Sequence, residues 1–119
     1  MTKKILIVED YADTRSVMKY LLESYGYQVV EAENGEQAVE KVKADNPDLV
    51  LMDIAMPVMN GLTATKIIRE FDNGAKLPII AVTAYGDSYY RQAIEAGCDD
   101  LINKPLDFTL LGPLLNQYL

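Results

Sequence analysis

Five side chains in this 119-residue sequence have types and positions that could do chemistry together: Glu9, Asp10, Asp53, Thr83 and Lys104. Each lies at the end of a short apolar run. Ile5 to Val8 leads into Glu9 and Asp10, Leu49 to Met52 into Asp53, Ile79 to Val82 into Thr83, and Leu101-Ile102 towards Lys104. Three carboxylates gathered within a few ångströms repel one another, and a hard divalent cation with oxygen ligands relieves that repulsion. Mg²⁺ suits such a group, because it takes one or two carboxylates, several waters and a phosphate oxygen. A carboxylate is also a competent nucleophile towards phosphorus, forming an acyl phosphate. Asp53 is the natural nucleophile, since Glu9 and Asp10 are adjacent in sequence and suit the metal. The Lys104 ammonium and the Thr83 hydroxyl would stabilise phosphoryl oxygens. Taken singly, each residue has an ordinary structural role: Asp10 or Asp13 as a helix cap, Thr83 as a turn former, Lys104 as a solvated charge. Their arrival together is what points to a site.

The elements that must bring them together follow from apolar spacing. Ile5 to Val8 reads as a strand buried on both faces. From Asp13 to Tyr25, Val17, Met18, Leu21, Leu22 and Tyr25 recur at helical spacing, with Gly26 as a stop. Tyr27 to Ala32 reads as a strand, and Gly35 to Asp45 as an amphipathic helix with Ala38, Val39 and Val42 on one face. Leu49 to Met52 is the third strand. A turn-rich stretch with Pro57, Asn60 and Gly61 then leads into a helix holding Leu62, Ala64, Ile67, Ile68 and Phe71. Ile79 to Val82 is a strand, Asp87 to Ala96 a helix ended by Gly97, and Leu101-Ile102 the last strand. A final helix holds Leu110, Leu111, Leu114, Leu115 and Tyr118. Gly112-Pro113 interrupts it, so it either starts late or kinks. Five βα units with short connections imply an α/β fold: a parallel sheet, helices on both faces, right-handed crossovers, and one domain over residues 1–119. In such sheets ligands collect outside the carboxyl ends of the strands, where all five candidate residues lie.

Composition removes other classes of function. Eighteen acidic against eleven basic residues give a formal charge of −7, which argues against nucleic acid and against an anionic membrane surface. There is no histidine and one cysteine, Cys98, so an intramolecular disulfide, a Cys/His zinc site and a histidine-based triad are excluded. Cys98, with no basic neighbour, reads as a small buried hydrophobe. Four apolar residues, Ile5 to Val8, precede Glu9 and Asp10. That is too short for a signal peptide or membrane span, and makes a cytoplasmic location the expectation.

The runs Ile5-Leu6-Ile7-Val8-Glu9-Asp10, Leu49-Val50-Leu51-Met52-Asp53-Ile54-Ala55-Met56-Pro57, Met59-Asn60-Gly61, Ala81-Val82-Thr83-Ala84 and Lys104-Pro105 resemble, in order and spacing, the motifs of response-regulator receiver domains. The resemblance covers essentially the whole chain. It implies a doubly wound, flavodoxin-like (βα)5 fold with strand order 2-1-3-4-5. It also implies a signalling domain rather than an enzyme in the ordinary sense, catalysing only its own phosphoryl transfer and slow autodephosphorylation. Asp53 would be the phosphoacceptor, and Glu9, Asp10, Asp53 and the Ala55 carbonyl would hold Mg²⁺. Thr83 would move towards the phosphoryl group, Lys104 would pair with it, and the Lys104–Pro105 bond would be cis. Ala55 and Tyr85 occupy the positions that tune hydrolysis of the acyl phosphate, and Tyr85 could shield it from water. The phosphoryl donor would be a phosphohistidine on a sensor histidine kinase or a histidine phosphotransfer protein, docking around the first helix and the loop after Lys104. With no output domain in the chain, the readout would be contact with another protein.

One position departs from the family pattern. The switch residue three before the lysine, usually Tyr or Phe, is Leu101, which has no hydroxyl and less area to exchange between states. Tyr85, Tyr89 and Tyr90 are the neighbours that could take over part of that surface. Among rival readings, an aspartyl phosphatase would carry a second Asp at Ala55, and a flavin binder would need a phosphate loop where Glu9-Asp10-Tyr11 stands. A receiver-like protein-binding module that is not phosphorylated is the remaining alternative.

Overall fold

The computed structural model of the chain describes residues 2–56 and 58–119, with Asp87 and Phe108 described in backbone only. Pro57, read above as part of the turn-rich stretch, lies outside the described residues. Five strands alternate with five helices: β1 (Lys4–Val8), α1 (Ala12–Ser24), β2 (Gln28–Ala32), α2 (Gly35–Asp45), β3 (Leu49–Asp53), α3 (Gly61–Ile68), β4 (Ile79–Thr83), α4 (Gly86–Ala96), β5 (Asp100–Asn103) and α5 (Phe108–Tyr118). All pairings are parallel and the strand order is β2-β1-β3-β4-β5, the doubly wound α/β fold.

The two faces of the sheet sort the apolar residues with a period of two, as the pleat requires. Leu6, Val8, Val50, Met52, Ile79 and Ala81 pack on one side with Ala38 and Val42 of α2, Ala64 and Ile68 of α3, and Ala93 of α4. Ile5, Ile7, Leu49, Leu51, Ile80 and Val82 pack on the other with Met18 and Leu22 of α1 and Leu111 and Leu115 of α5. Each such Ile, Leu or Val contributes roughly 1.5–3 kcal/mol by leaving water. Because both faces are covered, the central strands are continuous apolar runs, which is why they end so abruptly at polar residues. Cys98 is buried in the first of these layers, 3.7 Å from the Thr65 hydroxyl, and burial pushes its thiol pKa up.

Three expectations need correction. Val17 is 53% exposed, so α1 buries Met18 and Leu22 but not its whole apolar set. Tyr25 follows α1 as its C-cap and is also exposed. Phe71 is not in α3: the helix ends at Ile68, and Glu70 and Phe71 tighten into three-residue turns on Ile67 and Ile68. Arg69, the C-cap, anchors the chain at this point: its guanidinium reaches the carbonyls of Gly97 (2.7 Å), Gly74 (2.8 Å) and Leu77 and the carboxylate of Asp99 (3.0 Å). Of the two alternatives left open for the last helix, a late start is not the one taken. The helix begins at Phe108, where Asp107 accepts a hydrogen bond from the Thr109 N–H, and it carries Pro113 within it.

Arg69 therefore joins the end of α3 to the turns before β4 and β5. Arg69→Ala should lower the free energy of unfolding by about 2–3 kcal/mol, the loss of several hydrogen bonds to carbonyls. Urea titration of both proteins is the check, and an unchanged midpoint would refute the role given to the clamp.

Candidate functional site

The carboxyl edge of the sheet is built by chain geometry before any polar contact forms. β1 and β3 are neighbours in register, Val8 beside Met52, so Glu9 and Asp53 emerge side by side. Asp53 is still in β3, paired with Val82, and is buried, as is Glu9. Gly61, the first residue of α3, lies against this strand end. Its N–H bonds to the Ile54 carbonyl at 2.9 Å, and an added Cβ would strike the Asp53 carbonyl oxygen. The absence of a side chain there lets α3 start directly against the strand that delivers Asp53.

Two buried carboxylates side by side are costly unless paired, and Lys104 pairs them. Its ammonium donates to Glu9 Oε1 at 2.8 Å and to Asp53 Oδ2 at 3.1 Å. The remaining oxygens are also used. Asp53 Oδ1 accepts from the Ala55 N–H at 3.1 Å and Glu9 Oε2 from the Tyr11 N–H at 3.3 Å. Arg15 donates to the Glu9 carbonyl at 2.8 Å, fixing the backbone between the two acids that follow β1. Burial works against the Lys104 charge, but the hydrogen bonds to Glu9 and Asp53 outweigh it and hold its pKa above the ordinary lysine value.

Asp10 is the third acid and is exposed. One oxygen from each of Glu9, Asp10 and Asp53 can be chosen so that all lie within 4.8 Å of one another. Partial desolvation and the neighbouring Glu9 raise the Asp10 pKa above its ordinary value of 3.8. An all-oxygen, carboxylate-rich donor set of this size fits a hard cation such as Mg²⁺ and does not fit a soft one.

The other expected residues are near but differently engaged. Thr83 is buried at the end of β4, where its hydroxyl accepts from the Tyr85 N–H at 3.1 Å. Tyr85 is exposed, its ring edge-on to Tyr89 with centroids 6.5 Å apart. Leu101 is half-buried and packs inward, against the layer holding α2, α3 and α4. The Lys104–Pro105 bond is cis. Beside Lys104 a cleft of about 550 Å³ opens between α1 and the segment after β5, lined by Val17, Met18, Ala84, Pro105 and Leu106. The exposure of Val17 is accounted for by this cleft. Arg15 and Asn103 were not anticipated. The only signal for Asn103 was its place beside Lys104, two residues from Leu101 on the same strand face.

Comparison with known proteins agrees with this geometry. The family model for the response regulator receiver domain matches residues 5–115. The chemotaxis protein CheY of Bacillus subtilis is 46% identical over 121 residues, covering 100% of this chain and 99% of that protein. CheY of Thermotoga maritima is 44% identical, covering 98% of each. The hybrid signal transduction histidine kinase M of Dictyostelium discoideum is 40% identical over 95% of this chain, which spans only 5% of that kinase. Among solved structures, the receiver domain of a sensor histidine kinase from Pseudomonas aeruginosa superposes with a TM-score of 0.93 at 34% identity, covering 99% of this chain and 98% of that one. It holds a magnesium ion coordinated in its active site cleft.

The crowding of three carboxylates has a measurable cost. Asp10→Asn should stabilise the metal-free protein and weaken Mg²⁺ binding. Water screens the exposed carboxyl, so the gain at neutral pH is about 0.5–1 kcal/mol. Because folding raises this pKa, the penalty is present above the raised value and gone below 3.8, so parent and variant converge in acid. Unfolding curves in chelator across that range test it, and a variant no more stable than the parent at neutral pH would rule the repulsion out.

Proposed function

Because the chain belongs to the response regulator receiver family and is a CheY-like receiver domain of two-component systems, we propose that Asp53 accepts a phosphoryl group from a phosphohistidine in a Mg²⁺-dependent reaction. One observation carries the reading: the Lys104 ammonium bridges two buried carboxylates, Glu9 and Asp53, with the carboxylate of Asp10 beside them. A stability role alone calls for one acid opposite the lysine. Three acids and one base leave a net negative site open to a cation and then to a phosphoryl group.

Asp53 attacks phosphorus in line, its carboxylate oxygen forming the new O–P bond while the P–N bond of the donor breaks. The departing imidazole keeps the electron pair and takes a proton. Glu9, Asp10, Asp53 and the Ala55 carbonyl would hold Mg²⁺, which when bound offsets charge on the phosphoryl oxygens. Lys104 exchanges a carboxylate for a phosphoryl oxygen without leaving the site, and the Thr83 hydroxyl donates to another. Positions Ala55 and Tyr85 set how easily water reaches the acyl phosphate, and slow autodephosphorylation returns the carboxylate. The apolar cleft beside α1 and Pro105 suits docking of the sensor kinase or phosphotransfer protein, because it opens next to Lys104. On this reading residues 1–119 act as one receiver domain in the cytoplasm, and the signal leaves through contact with a second protein.

The experiment is intact mass after incubation with Mg²⁺ and acetyl phosphate, alongside Asp53→Asn. A single phosphoryl adduct that needs Mg²⁺ and is absent from the variant is expected. No adduct, together with no Mg²⁺ binding, would leave a protein-binding module that is not phosphorylated.

A further inference from the structure

The start of α4 has no cap of its own, because its N-cap residue is Tyr85, whose side chain makes no capping hydrogen bond. The first N–H groups of a helix need acceptors from elsewhere. Here two strands supply them. Thr83 at the end of β4 takes the Tyr85 N–H at 3.1 Å, and Asn103 at the end of β5 takes the Gly86 N–H at 3.0 Å. Thr83 and Asn103 are register partners, so both side chains leave the same face of the sheet. Leu101, two residues back, shares that face. Gly86 is seated on both: an added Cβ would meet the Asn103 amide and lie 2.9 Å from Leu101 Cδ2.

We propose that Asn103 is a positioning residue that holds the Thr83–Gly86 turn in its unphosphorylated arrangement and thereby limits how readily Thr83 reaches a phosphoryl group on Asp53. The inference rests on the phosphoryl-transfer reading above. Its direction comes from strand order. β4 lies between β3, which carries Asp53, and β5, which carries Asn103. A phosphoryl group on Asp53 presents acceptor oxygens only and draws the Thr83 hydroxyl towards β3. That motion carries Tyr85 and Gly86 away from β5, so the Asn103 bond is made before phosphorylation and lost after it. A contact made in only one of two states favours that state by its own worth.

The test is the rate of adduct formation with acetyl phosphate at saturating Mg²⁺, resolved into a limiting rate and a half-saturating donor concentration. Asn103→Ala should raise the limiting rate about 3- to 10-fold, the factor carried by one hydrogen bond, with half-saturation unchanged. Asn103→Asp keeps an acceptor for the Gly86 N–H and should stay within about 2-fold of the parent. Gly86→Ala, which drives the helix start away from Asn103, should accelerate the reaction as Asn103→Ala does. The Gly86 amide proton resonance reports whether the bond is lost. An equal or lower limiting rate in Asn103→Ala, with that resonance shifted, would overturn the inference alone. So would an Asn103→Asp chain as fast as Asn103→Ala. A parent that takes no phosphoryl group would overturn this inference together with the reading beneath it.

Discussion

The ammonium of Lys104 between the carboxylates of Glu9 and Asp53 is the interaction on which the carboxyl edge depends. Both acids are buried, and without a shared counter-charge their adjacency would be strongly unfavourable. The pairing is also long-range in the fold. Strands lie about 4.8 Å apart, so β5 sits roughly 10 Å from β3 and 14 Å from β1 across the sheet. A lysine side chain reaches only about 6 Å from its Cα. The chain after β5 must therefore turn back over the end of β4, and the Lys104 N–H bonds to the Thr83 carbonyl at 2.8 Å where it does so.

This route explains why charge, topology and packing are inseparable here. The strand order sets β1 beside β3, which creates the acid pair. The order β3-β4-β5 places the base on the far side of one intervening strand. Apolar packing on two faces holds those strands in place, with fully buried Leu6, Leu51 and Ile80 drawn from three of them. The repulsion at the edge is sustained by that core, since a few kcal/mol of local penalty is small beside the burial of a dozen such side chains.

Much of this was legible in the sequence because buried parallel strands leave a strong pattern. Apolar runs ending abruptly at a polar residue located β1, β3 and β4 to within a residue, and placed Glu9, Asp53 and Thr83 at their ends. Helix extents were less legible. Phe71 continues the helical spacing of α3, yet the chain leaves the helix at Arg69, whose side chain bonds to carbonyls beyond it, at Gly74, Leu77 and Gly97. Val17 has core spacing but faces a cleft. The capping of α4 was illegible for the same reason: its second acceptor, Asn103, comes from seventeen residues away. Periodicity reports which face a residue occupies; it carries no information about a polar partner on another element.

The departures from local rules are not scattered at random. Asp10 stands beside two other acids, and Val58, a β-branched residue, has φ of 69° with its side chain 77% exposed. Tyr85 begins a helix that it cannot cap. All three lie in segments that follow carboxyl ends of strands: β1, β3 and β4. Pro113 within α5 and Asn46, in the left-handed region at the end of α2, lie elsewhere. A left-handed conformation costs a β-branched residue about 1–3 kcal/mol and is held only where the surroundings over-determine it. Val58 is bracketed by such constraints. The Met59 carbonyl accepts from the Gly35 N–H at 2.9 Å, and the Gly61 N–H bonds back to Ile54. Sequences disagree with their own fold where something other than folding is selected. That three of these disagreements gather around one cluster of carboxylates is a physical argument, apart from any likeness to other proteins, for the site proposed at this edge.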